Sequence, residues 1–125
     1  MFTKENFEVN TMYEEHYLDY ENNQNITISS EYPLKDESVM LSKMADVIER
    51  YSLGEFIAHW DCIFMHHKSK VWCNVKFYIE DERMMLNGSC MGKSDDEEGA
   101  LERALTKLVK VVIPSRTRFL PYAAY

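Results

Sequence analysis

Two runs of alternating residues, 56 to 65 and 71 to 79, constrain this chain more than any other feature of its sequence. In the first, Phe56, Ala58, Trp60, Cys62 and Phe64 fall on one side and Ile57, His59, Asp61, Ile63 and Met65 on the other. In the second, Val71, Cys73, Val75, Phe77 and Ile79 oppose Trp72, Asn74, Lys76, Tyr78 and Glu80. A period of two in β-branched and aromatic residues predicts half-buried strands. The polar turn His67-Lys68-Ser69-Lys70 joins them as a hairpin, and Glu80-Asp81-Glu82-Arg83 turns the chain into a third strand over 84 to 91. Three consecutive strands predict an antiparallel meander, and its apolar side requires a covering layer.

Helices supply that layer. Ser94-Asp95-Asp96-Glu97 has the form of a capping box, in which serine and glutamate satisfy reciprocal backbone donors. Leu101, Ala104, Leu105, Leu108, Val111 and Val112 then make an apolar stripe that Pro114 is expected to end. A second helix is predicted from about Ser38, its cap, to Tyr51, because Met40, Met44, Val47, Ile48 and Tyr51 lie on one face. Near the N-terminus, Val9, Met12, Tyr13, Tyr17 and Tyr20 fall at helical spacing, which predicts a short amphipathic helix. Ile26-Thr27-Ile28-Ser29 alternates as a short strand before Pro33. The expected fold class is α+β: a three-stranded antiparallel sheet flanked by helices, an α-β-β-β-α core carrying a helical extension. The divisions expected are an acidic N-terminal extension over 1–37, the α-β-β-β-α domain over 38–113 and an aromatic and basic C-terminal tail over 114–125.

At 125 residues with a 46 % hydrophobic share, the chain is large enough for one real core. No run reaches the roughly 20 apolar residues of a membrane helix, and no secretory pattern opens the chain, so a cytoplasmic location away from membranes is expected. Cys62, Cys73 and Cys90 are odd in number and sit in apolar surroundings, as reduced packed thiols do. The net charge of −7 is concentrated: residues 1–37 hold nine acids against Lys4 and Lys35, while the rest is balanced. That distribution repels phosphate and favours a partner protein with a basic surface.

His59, His66 and His67, with Asp61 and the three cysteines, are the only group that could make a metal site, and their spacing matches no zinc pattern, so neither a metal nor another cofactor is expected. The cysteines on the apolar faces lack the electropositive setting of a nucleophile, and no catalytic residue is assigned. Gly88 through Ser94 ends in Gly-Lys-Ser before a helix, but it is one residue short of a phosphate-binding loop and is followed by Asp95 and Asp96. Trp72 and Tyr78, with Lys76 between them, form an aromatic face that either stacks nucleic-acid bases or is covered by the N-terminal helix; coverage is the preferred expectation.

The segment from Ser38 to Val112 resembles the α-β-β-β-α layout of double-stranded RNA-binding domains, with a local likeness at Gly92-Lys93-Ser94 leading into an alanine-containing helix. The basic pair that grips phosphates in that family is replaced here by Asp95 and Asp96, so the resemblance implies the fold and not the RNA function. The same layout, with Ala100-Leu101-Glu102-Arg103-Ala104-Leu105, is also similar to small phage-encoded sandwich domains. The expected function is a non-enzymatic protein-interaction module, an inhibitor of phage or mobile-element origin that engages a basic surface of a host nucleic-acid-processing protein. Its contact residues would be Glu14, Glu15, Asp19, Glu21, Phe119 and Tyr122. The alternative is nucleic-acid binding through Trp72, Lys76, Tyr78, Arg103, Lys107 and Lys110. Met84, Met85 and Met91, beside an edge strand, would support a homodimer.

Overall fold

The computed structural model describes residues 2–9, 12–19, 24–55, 57–80 and 85–124, with side chains placed for 13–18, 24–55, 57, 59–78 and 88–112. In chain order the elements are β1 (Phe2–Val9), β2 (Met12–Asp19), β3 (Gln24–Ser30), α1 (Glu37–Arg50), a 3-10 turn (Leu53–Glu55), β4 (Ile57–His67), β5 (Lys70–Glu80), β6 (Met85–Ser94) and α2 (Glu97–Ala124). The fold is α+β, but the three-stranded antiparallel meander is corrected: the strands form one six-stranded mixed sheet in the order β1-β2-β3-β4-β5-β6. β3 and β4 run parallel, from Asn25↔His59 to Ser30↔Phe64, and every other pair is antiparallel. The parallel pair follows from α1, which lies between the two strands in sequence and packs on the sheet, so β4 re-enters in the direction of β3. An alternating pattern fixes which side of a strand is buried and leaves its neighbour open.

The helix expected over Val9 to Tyr20 is likewise corrected to a strand hairpin, registered from Phe2↔Asp19 to Val9↔Met12. Tyr13 and Tyr17 are four residues apart, an interval that is close to one helical turn and is also even, so it places them on one side of a strand equally well. Tyr17 pairs with Ile26 and is buried, and its hydroxyl meets Glu15 and Glu37, tying β2 to the first turn of α1.

Both helices lie on the same side of the sheet. Met40, Leu41, Met44 and Ile48 of α1 and Ala100, Leu101, Ala104, Leu105, Leu108 and Val112 of α2 share one core with Ile26, Ile28, Trp60, Cys62, Phe64, Val71, Cys73, Val75 and Phe77. Ile57 belongs to that core, against the expected parity, because the β4–β5 register shifts between Ile57 and His59 and turns it inward. The Trp60 indole donates to the Gln24 Oε1 at 2.7 Å, joining β3 to β4 inside the core.

The helix caps differ from the sequence expectation. Asp36, not Ser38, caps α1: its carboxylate accepts from Val39 N at 3.3 Å and from the Ser38 hydroxyl at 2.6 Å, which holds its pKa below the usual carboxylate range. At α2 the Asp96 carboxylate accepts from Gly99 N at 2.7 Å, while Ser94 still belongs to β6. Asp95 pairs with Lys70, which lowers its pKa. Pro114 does not end α2, which runs on to Ala124; an interior proline removes one helical hydrogen bond and costs about 3 kcal/mol, which a long packed helix can absorb. Among the described residues no helix is long and apolar enough to cross a membrane.

Candidate functional site

Both helices lie on one side, and among the described residues no element covers the opposite side of the sheet. The register places Glu14, Ser29, Ile63, Asn74 and Met91 in one row across it, and His16, Thr27, Asp61, Lys76 and Ser89 in the next. A third row joins Leu18, Asn25, His59 and Tyr78, and at the far end Met65, Trp72 and Lys93 stand side by side. The expected covering of Trp72 and Tyr78 by an N-terminal helix is therefore corrected: that segment extends the sheet sideways instead of lying over it. Met65 and Met91 are exposed, and Trp72, Lys76 and Tyr78 are half-buried by their neighbours.

Polar contacts organise the middle of this surface. The Tyr78 hydroxyl donates to Asp61 Oδ2 at 2.9 Å, and that bond raises the pKa of the phenol. Thr27 Oγ1 lies 3.0 Å from His16 Nδ1, and Glu14 lies 3.7 Å from the other ring nitrogen. At the end, the Lys93 ammonium stands 5.1 Å from the Trp72 ring centroid, a cation–π contact. Glu31, Met65, His66, His67, Trp72 and Met91 line a cavity of about 340 Å³ there.

The acidic residues expected to meet a partner do not converge. Glu14 lies on the uncovered side next to His16, whereas Glu15 lies on the helix side next to Tyr17. Asp19 closes β2, opposite Gln24, and Glu21 lies outside the described residues. Phe119 and Tyr122 fall in the last turns of α2, where side chains are outside the description.

The nucleic-acid set is divided as well. Trp72, Lys76 and Tyr78 share the uncovered face. Arg103 Nη1 and Lys107 Nζ instead donate to the Lys93 and Met91 carbonyl oxygens of β6, each at 2.7 Å. Lys110 lines the groove between α1 and α2. Gly92-Lys93-Ser94 is strand, with Gly92 against α2, and makes no phosphate-binding loop. Sequence reading placed Ile63 and Met65 on the outer side without using them; residues that apolar, beside Trp72 and Tyr78, were the signal that this side is more than a solvent face.

His59, Asp61 and His67 alternate onto the uncovered side of β4, while His66 packs its ring on Tyr32 at 4.1 Å between centroids. Among the described residues no group of three His, Cys, Asp or Glu side chains is placed to hold a metal ion. All three thiols are buried. Burial pushes the Cys62 thiol up to about 12, with Asp61 adding to the shift, and it also raises Cys73 and Cys90, the last against the opposing pull of Lys107. A thiol with a raised folded pKa leaves stability intact below the unfolded value of about 8.5 and erodes it as pH climbs from there toward the folded value. Native protein at pH 8 is expected to resist iodoacetamide at Cys62 and Cys73, and denatured protein to take up label at both; rapid native labelling, read by mass spectrometry, would contradict their placement.

No protein-family model and no curated protein matches this sequence.

Proposed function

We propose that the chain is a non-enzymatic protein-interaction module that holds its partner on the uncovered side of the sheet. The observation that carries this reading is the position of both helices on one side, which leaves Ile63, Met65, Trp72, Tyr78 and Met91 unroofed on the other. Methionine and aromatic side chains on a sheet face offer large, adaptable contact area, and the hydrogen-bonded groups between them would fix register with a partner.

A test keeps the fold and alters the surface. Tagged protein purified from its native cells after nuclease treatment is compared with the double variant Met65→Glu, Met91→Glu, and with Val111→Glu on the exposed side of α2 as a control. The sheet variant is expected to lose the partner roughly tenfold or more, as a charge in a desolvated contact does, and the helix variant to keep it. Undiminished recovery with the sheet variant would refute the reading.

One observation favours a second reading. Lys93 over Trp72, with Lys76 on the same face, is the combination by which single-stranded nucleic acid is held through stacking and phosphate contacts. In that case recovery would be nuclease-sensitive, and a gel shift with single-stranded oligonucleotide would weaken steeply as salt rises.

A further inference from the structure

The Trp72 indole nitrogen is buried, and among the described residues it has no hydrogen-bond partner. A buried donor left unpaired is destabilising, and an acceptor brought by a ligand would satisfy it. Trp72 is also a wall of the cavity formed with Glu31, Met65, His66, His67 and Met91, at about 340 Å³ large enough for one apolar side chain. Lys93 stands over the same ring, and Glu31 is the carboxylate among the residues that line the cavity. The two thioethers supply the adaptable apolar lining common at peptide-binding surfaces.

We infer that this cavity seats an acidic peptide segment, which inserts one apolar side chain between Met65 and Met91 and brings an acceptor oxygen to the Trp72 N–H and a carboxylate to Lys93. The inference rests on the protein-interaction reading and names the chemistry of the partner at one end of its surface. Charge complementarity selects the occupant: an indole N–H and an ammonium suit a carboxylate-bearing segment, and a basic segment would place a second cation against Lys93. The partner's acidic groups would be confined to this end, since the middle of the sheet already pairs Asp61 with Tyr78 and sets Glu14 beside His16.

N-acetyl-leucine carries one apolar side chain, amide and carboxylate acceptors and little else, and it serves as the probe. Added to the full, nitrogen-15-labelled chain, it is expected to move the Trp72 indole N–H resonance downfield in a saturable way, together with amides of residues 65–67 and 91–93. A fragment of this size reaches a dissociation constant in the millimolar range. The Trp60 indole N–H, already bonded to Gln24, should not move, which supplies an internal control. N-acetyl-leucinamide, lacking the charge, is expected to bind about fivefold more weakly, and Lys93→Gln to reduce the acid to the level of the amide.

Absence of a saturable shift at Trp72 would overturn the inference, as would equal affinity for acid and amide. A shift pattern reproduced by a single-stranded oligonucleotide but not by the fragment would overturn it in favour of nucleic acid. The outcomes separate it from the broader reading. Loss of the native partner in the Met65→Glu, Met91→Glu variant with no fragment binding leaves the module and removes the acidic segment. Fragment binding with the partner retained does the reverse.

Discussion

Gly92→Ala is expected to destabilise the fold by about 3 kcal/mol, an overpacking cost at the upper end of the usual range. Gly92 lies in β6 directly beneath α2, and a Cβ there would overlap the Ala100 carbonyl oxygen and stand 2.5 Å from the Ala104 nitrogen. Both are backbone atoms, so no rotamer change relieves the clash. Ala100 and Ala104 are themselves completely buried, which shows how closely the helix approaches the strand at this point. To admit a methyl group α2 must rise, and Leu101, Leu105 and Leu108 rise with it. Urea unfolding should show a lowered midpoint with an unchanged slope, the sign of altered stability with the same surface exposed. A loss below about 1 kcal/mol would mean that α2 does not lie this close to β6.

Trp60→Ala is expected to cost about 4 kcal/mol by the same measurement, for two separable reasons. It empties the site of the largest fully buried side chain, and it leaves the Gln24 carboxamide buried without the indole that donates to it. Gln24→Ala alone, which orphans the indole N–H, should cost roughly 1–3 kcal/mol. Because the two side chains share one bond, the double variant should lose less than the sum of the singles, by at least about 0.5 kcal/mol. Strict additivity would contradict the contact that ties β3 to β4.

The elements that were legible in the sequence are those set by local chemistry. The alternation through Trp60, Cys62 and Phe64 and through Val71, Cys73, Val75 and Phe77 marks the buried sides of β4 and β5, and the stripe from Leu101 to Val112 marks the inner face of α2. What the sequence left open was partnership. Ile26-Thr27-Ile28-Ser29 was readable as a strand, yet nothing in its residues names β4 as a parallel neighbour, because that pairing is decided by the path of α1 over the sheet. Tyr13 and Tyr17 misled because an interval of four serves both periodicities. Gly92 carried an unused signal: a glycine inside a strand often marks close approach of another backbone, and Ala100 and Ala104 in the following helix are the complementary small residues. The site was half legible for the same reason. Residue parity put Ile63, Met65, Trp72 and Tyr78 on the outer side, but whether that side was roofed depended on where the N-terminal segment lay.

Oxidation of the free protein by dilute peroxide, followed by peptide mapping of its eight methionines, tests most directly whether the sheet face is open. Thioethers oxidise according to their access to solvent. Met65 and Met91 are 38 % and 37 % exposed, whereas Met40 and Met44, beneath α1, are 4 % and 0 % exposed. The first pair is expected to convert to sulfoxide at least about tenfold faster than the second, with the fold intact. Protection of Met65 and Met91 equal to that of Met44 would show the face to be covered in the free chain, and the proposed contact surface would not exist.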